Sequence, residues 1–295
     1  WQQSGSKFSR TWPIAPSAEI LEQRWQALCD SDDKVRDFKE SRDRKVSRVY
    51  RSLFGQGRPL EVVADLEPDS QPEAIRPYGY RAFDVQSCIA DGRVGDVLSG
   101  SLWQSQSPNQ VFMVSLLTGK IGKGPAAVAS SAVPDLHYFR GSYGAKHIVP
   151  LYRDSDLTPN MDAGVLRWLN SEIGVDSPCL YEDFFAYCYG ILAGTDYSQR
   201  FASELGQPGP RIPITCDPSL FRAMSEFGRE LVGLQTYGEV EGFPCPSVTG
   251  LKSKACRWLQ EPTQLPDGKT GVVYDPTNEV LSIADGVLAN VSQEV

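Results

Sequence analysis

From position 181 to 192 the chain reads Tyr181-Glu182-Asp183-Phe184-Phe185-Ala186-Tyr187-Cys188-Tyr189-Gly190-Ile191-Leu192, with Phe184, Cys188 and Ile191 recurring at the spacing of one helical face. Tyr181 and Phe185 widen that face, so the spacing predicts a helix buried on a broad side. Glu182 and Asp183 fall in its first turn, where carboxylates complement the helix dipole and no chemistry is expected of them. Gly194 offers a stop, Tyr197 to Leu205 reads as a second short helix, and Pro210 and Pro213 impose an extended strand or edge segment around Ile212.

Nearer the N-terminus, Ser17 caps a helix expected through Leu28, with Ile20, Leu21, Trp25 and Leu28 as its apolar side. A second helix is expected from Asp32 to Leu53, because Val35, Phe38, Val46, Val49 and Leu53 align on a 3.6-residue period while Arg44, Arg48 and Arg51 cluster opposite. That arginine side is either a solvated face or a track for phosphates. Gly55 to Pro59 breaks the pattern, and the acidic, proline-bearing stretch Asp65 to Glu73 reads as a loop and domain boundary, giving a connector over 1–65 and a main domain over 66–295.

Beyond it, short strands are expected at Tyr80–Phe83, Val111–Leu117, Ala126–Val133 and His147–Tyr152. Helices return at Met161–Asn170, at the 181–192 and 197–205 stretches, and at Ser219–Leu234, the last capped by Asp217 with Pro218 at its first position. Two apolar runs, 271–274 and 280–283, flank Asp275-Pro276-Thr277-Asn278 as a hairpin would. The fold class is therefore α+β: an N-terminal helical segment, a central mixed β-sheet region, and C-terminal helices with a terminal β-hairpin.

Composition narrows the function classes. The 295 residues are 41% hydrophobic, enough for a substantial core, and no apolar run is long enough to span a bilayer. Seven cysteines without a C-x-x-C pair signal neither a disulfide framework nor a zinc site, so a reducing cytoplasm is the simplest setting. The N-terminus has no initiator Met and no signal-peptide layout, which is expected of a piece of a longer chain. Net charge is −8, yet Lys34 to Arg58 holds nine basic residues against three acidic ones, leaving −14 on the remainder. One basic face on an acidic body suits a selective phosphate binder rather than an indiscriminate one.

Lys120 and Lys123 lie in Thr118-Gly119-Lys120-Ile121-Gly122-Lys123-Gly124, which fails as a P-loop: no glycine precedes Gly119 or Gly122 by five, and neither lysine is followed by Ser or Thr. The loop is either a backbone-contacting basic loop or a plain turn. His137 and His147 lack any nucleophile or metal-ligand setting, so hydrogen-bonding roles are expected of them. Asp135 to Gly144 mixes aromatic, basic and glycine residues in a way that suits bases and phosphates, or an ordinary surface loop.

Several segments resemble a known family in wording and order. Tyr78-Gly79-Tyr80-Arg81-Ala82-Phe83-Asp84 resembles the Y-x-Y-R-P-F-D element of the fused restriction-modification methyltransferases of Types IIG and ISP, and Phe38-Lys39-Glu40-Ser41-Arg42-Asp43-Arg44 is similar to the F-K-E-T-R-D-R element before it. Val133 to His137, Ile148 to Arg153, the 181–192 stretch, Pro210 to Pro213, Leu220-Phe221 and Gly228 to Leu234 are similar to later segments, spanning nearly the whole chain. Three positions depart: Ala82 stands at the family's proline, Gln86 at its following arginine, and Gln235 at the histidine after the last helix.

The resemblance implies a chain that is mostly target recognition domain, entered from the end of an adenine-N6 methyltransferase part of the same polypeptide. It implies S-adenosylmethionine for the parent protein and no cofactor here. The [DNS]-P-P-[YFW] motif is absent, since Asp217-Pro218 and Asp275-Pro276 are followed by Ser and Thr. The expected partner is double-stranded DNA, with no membrane. Arg44, Arg48 and Arg51 would track phosphates, while loops bearing Arg81, Lys120, Lys123, Arg140, Tyr143 and Lys146 would approach the grooves. The alternative is a protein-interaction scaffold coupling a helicase-like motor to the methyltransferase.

Overall fold

Strand β4 (Phe112–Ser115) is buried on both faces and feeds two cores at once: Phe112 and Val114 join one apolar cluster, and Met113 joins another. Its neighbours divide the same way, as the alternation of a pleated strand requires. In β5 (Ala127–Ser130), Val128 faces the first cluster and Ala127 and Ala129 the second; in β7 (His147–Pro150), Ile148 and Val149 split likewise. The three strands form an antiparallel sheet in the order β5-β4-β7.

The computed structural model describes residues 1–122, 124–173, 179–245, 257–262 and 271–291, and the chain divides into two compact units, Trp1–Pro246 and Ser247–Val295. In the first unit a second sheet has the order β1-β3-β2-β6, built from β1 (Ile14–Ala15), β2 (Ile75–Arg81), β3 (Asp84–Ile89) and β6 (Val133–Pro134). It packs with α1 (Ala18–Cys29), whose Leu21, Trp25 and Leu28 are buried as their spacing predicts, whereas Ile20 is exposed. Ser17 stands at the N-cap position of α1 without a side-chain capping bond. Strand β3 and the short helix α3 (Gly100–Ser105) were not legible as separate elements. Val63 and Leu66 lie in the same cluster as Phe38 and Tyr78, so one core spans the 65/66 position.

The helix expected from Asp32 to Leu53 forms only as α2 (Lys34–Phe38). Lys39 takes a left-handed φ of 51° and ends it, after which side chains replace the helical bonds: Glu40 accepts from the Val46 amide at 2.9 Å, and Ser41 Oγ from the Arg44 amide at 3.0 Å. A Ser hydroxyl offers the backbone such an alternative to helical pairing, and the Glu40 carboxylate does the same here. The apparent period was partly accidental, for Val35 and Val49 are exposed while Phe38, Val46 and Leu53 are buried.

Helix α5 (Tyr181–Ala193) matches its expected span because it separates two clusters, with Phe185 and Tyr189 in one and Tyr187 and Cys188 in the other. Glu182 accepts from the Tyr152 hydroxyl at 2.5 Å, and Asp183 ties Arg229 at 2.7 Å and the Leu180 amide at 2.9 Å, so both carboxylates hold the fold together. Packed against it is α7 (Pro218–Gln235), whose Asp217 cap accepts from the Ser219 and Leu220 amides with Pro218 in the first turn. The two helices approach so closely at Gly228 that a Cβ there would fall 1.8 Å from the Ala186 carbonyl oxygen. Helix α4 (Ala163–Ile173) completes the third cluster through Leu169 and Ile173. The stretch expected as one helix from Tyr197 is α6 (Thr195–Arg200) followed by a 3-10 turn at Glu204–Gly206. Pro210 to Pro213 carry no strand, their carbonyls instead accepting from Tyr197 (at Arg211) and Tyr187 (at Pro213).

In the second unit the expected hairpin forms between β9 (Val272–Asp275) and β10 (Val280–Ile283), and it belongs to a larger antiparallel sheet with β11 (Gly286–Ala289) and β8 (Arg257–Gln260), in the order β8-β11-β10-β9. The fold is α+β, with helices and sheets in the first unit and, among the described residues, strands alone in the second. Among the described residues no helix is long and apolar enough to cross a membrane.

Candidate nucleic-acid interface

The loop between β6 and β7 doubles back on itself. Arg140, Gly141 and Tyr143 have φ of 54°, 83° and 59°, and a Cβ at Gly144 would fall 1.5 Å from the Phe139 carbonyl oxygen. Only glycine permits that approach, and the resulting bend presents Tyr143 on the surface. The Tyr143 amide donates to His137 Nδ1 at 2.9 Å, and its ring meets the His137 ring edge-on at 5.1 Å. Lys7 Nζ donates to the Tyr143 hydroxyl at 3.2 Å and lies 5.2 Å from the ring centroid, with Lys146 Nζ at 5.7 Å. Two ammonium groups over one exposed ring make a compact cationic-aromatic surface.

The run of contacts continues inward. The His137 amide donates to Asp135 Oδ1 at 2.7 Å, and the same oxygen accepts from Arg81 Nη1 at 3.1 Å. The second Asp135 oxygen accepts from the Tyr78 hydroxyl. Burial and the adjacent carboxylate push the Tyr78 hydroxyl far up, so it stays a donor. Arg81 ends β2, its guanidinium 4.1 Å over the Tyr80 ring, next to a two-residue turn, Ala82-Phe83, that leads into β3. The Ala82 amide donates to the Tyr138 carbonyl at 3.2 Å, a bond that the family's proline would forgo.

Of the three arginines expected to share a helical face, Arg44 and Arg48 are brought together by a different device, both lying over the Tyr50 ring at 4.7 and 5.7 Å. Arg44 is half-buried, and its pKa is lowered by desolvation, though a guanidinium remains charged. Its Nη2 reaches the Asp96 carbonyl at 3.5 Å, and the Asp96 amide donates to the Lys7 carbonyl at 2.9 Å, which joins Arg44 to the Tyr143 cluster. Arg48 is exposed, whereas Arg51 is turned to the Gly57 carbonyl at 2.8 Å and does not join the group. The basic segment is also less basic than its count implies: Arg36–Asp37, Arg42–Asp43 and Lys45–Glu40 form ion pairs at 2.8, 2.8 and 3.0 Å.

Arg140 is half-buried over Phe139 and donates to the Pro125 carbonyl, so it braces the β4–β5 loop rather than reaching outward. Lys120, on that loop, is exposed; Lys123 lies outside the described residues. The loop joins two antiparallel strands, not a strand to a helix, and so does not offer the helix N-terminus with which a nucleotide or S-adenosylmethionine loop is built. Sequence reasoning missed Lys7, which reaches Tyr143 across 136 positions and carries no local signal. His137 accepts from the Tyr143 amide and His147 Nε2 lies 3.2 Å from Thr118 Oγ1, the hydrogen-bonding roles expected of both. Gln235, at the family's histidine, accepts from the Ala129 amide at 2.7 Å and from the Tyr189 hydroxyl.

An α+β scaffold thus carries a glycine-shaped cationic loop beside a β-hairpin tip. The chain belongs to the Type ISP C-terminal specificity domain family, whose model matches residues 1–295. Its fold is similar to that of the DrdV–DNA complex solved by cryo-electron microscopy, with a TM-score of 0.59 and 19% identity over 98% of this chain and 28% of that one. It is also similar to the ATP-dependent Type ISP restriction-modification enzyme LlaBIII bound to DNA, with a TM-score of 0.58 and 18% identity over 99% of this chain and 19% of that one. A nuclease-deletion mutant of the Type ISP enzyme LlaGI in complex with a DNA substrate mimic gives a TM-score of 0.54 and 16% identity over 99% and 22%. The chain thus spans between 19% and 28% of the length of these three solved chains. No curated protein matches the sequence.

Proposed function

We propose that this chain reads a specific sequence in double-stranded DNA for a restriction-modification enzyme whose S-adenosylmethionine-dependent adenine-N6 methyltransferase lies elsewhere in the same polypeptide. The observation that carries the reading is the exposed Tyr143 with Lys7 and Lys146 over its ring, linked through His137 and Asp135 to Arg81. Ammonium groups hold phosphates and set register, while an arginine beside a hairpin tip can address a guanine edge. Each such base contact is worth about 1–3 kcal/mol of discrimination, so a few suffice. Membership of a specificity family and a fold shared with Type ISP restriction-modification enzymes solved with DNA or a DNA mimic point the same way.

A second reading, a scaffold that docks the motor and methyltransferase parts, is favoured by one observation. Leu220, Phe227 and Leu234 recur every seven residues along α7, and all three are exposed. Gel-shift assays with a random duplex library at two salt concentrations separate the two. Selective retention of a subset of duplexes is the expected result; no shift even at low salt would leave the scaffold.

A further inference from the structure

Phe83 and Tyr237, 154 positions apart, are exposed aromatic residues that share a backbone conformation bulky side chains avoid. Phe83 has φ 64° and is 61% exposed; Tyr237, just past the end of α7, has φ 54° and is 56% exposed. Left-handed φ at a non-glycine aromatic residue is a strained arrangement, and strain of this kind collects where a side chain is held for a purpose. The two residues are tied together, the Tyr237 hydroxyl donating to the Phe83 carbonyl at 3.0 Å. With the Ala82 amide bonded to Tyr138 and Arg81 paired with Asp84 across the turn, the backbone is fixed on both sides of Phe83. Its ring joins none of the three apolar clusters. The backbone is therefore fixed while the exposed ring packs on none of the clusters.

The groups around the ring indicate what it meets. Arg81 precedes it, Asp84 follows, and Gln86 is bonded to Asp84 at 2.5 Å. A guanidinium, a carboxylate and an amide are the side chains that address guanine, cytosine and adenine edges. The Asp84 carboxylate disfavours a phosphate or an anionic lipid surface at this point, while the cations that suit phosphates stand further along the same run of contacts, at Lys7 and Lys146. An apolar ring among base-reading groups, flanked at a distance by phosphate-holding ones, fits an opened step of a duplex.

We propose that Phe83 is an apolar wedge that enters a base step of double-stranded DNA, with Tyr237 as the positioning residue that fixes its backbone. The inference rests on the DNA-reading function above. To test it, the full chain is titrated onto a duplex taken from the retained library pool, with 2-aminopurine placed at each position in turn. Binding raises emission at one position, and Phe83→Gly abolishes that rise and weakens binding about tenfold, the scale of one lost base–aromatic contact. Glycine relieves the left-handed φ, so the melting temperature of this variant stays at or above that of the parent, which separates loss of the wedge from loss of fold. Phe83→Leu keeps part of the emission change, and Tyr237→Phe, which retains its ring, reduces it. Duplex binding with flat emission at every position, or an unchanged rise in Phe83→Gly, overturns the wedge while leaving DNA reading intact. Absence of any duplex binding overturns both.

Discussion

Arg81 and Asp135 form a 3.1 Å ion pair in which the carboxylate is buried and the guanidinium is only partly so. Because Asp135 also accepts from Tyr78 and from the His137 amide, the pair sets both the direction of Arg81 and the start of the Tyr143 loop. Asp135→Ala strands the His137 amide and releases Arg81, and is expected to cost about 1–3 kcal/mol or more in urea unfolding. The same variant should lose sequence preference before it loses affinity, read as the ratio of retained to random duplex binding.

Lys146 and Arg48 are exposed and stand over aromatic rings without an ion-pair partner in the described residues. Lys146→Ala and Arg48→Ala should each weaken binding to all duplexes alike and lower the salt slope by about 1. Arg140→Ala should behave differently, because its guanidinium braces the Pro125 carbonyl: thermal unfolding is expected to shift, with any effect on binding secondary.

Gly228 has no room for a side chain against α5. Gly228→Ala should cost about 1–3 kcal/mol or more by chemical denaturation. Gly206, where a Cβ would meet nothing, serves as the contrast: Gly206→Ala should stay within about 0.5 kcal/mol of the parent.

Burial, and then the charge of Lys146, hold the His147 pKa below its ordinary value of 6.5. The unfolded chain therefore binds the proton more tightly than the folded one. The contribution of His147 to stability is complete above 6.5 and falls as pH drops from there toward the folded value. Melting temperature should decline across that window more steeply in the parent than in His147→Gln.

Long periodic elements were legible from the sequence. The α5 and α7 spans, the Asp217 cap and the 272–283 hairpin follow from spacing and capping chemistry alone. Residues 39 to 53 were not, since their apolar period is partly coincidental and side-chain bonds from Glu40 and Ser41 replace the helix. The candidate surface was legible in part. Tyr143, Lys146 and Arg81 stand out by composition and wording, but Lys7 enters through tertiary pairing, and Arg51 and Arg140 are drawn to backbone carbonyls that no local pattern announces.

Strand β4 lends alternate side chains to two cores. Loss of either core strips one face of that strand, so the two cores should be coupled in unfolding. A truncation designed to isolate the hairpin and Tyr143 loop from the helices would tear the shared strand from half of its contacts. Minimal DNA-reading versions of this unit should therefore keep α5 and α7, even though neither helix carries a residue of the cationic surface.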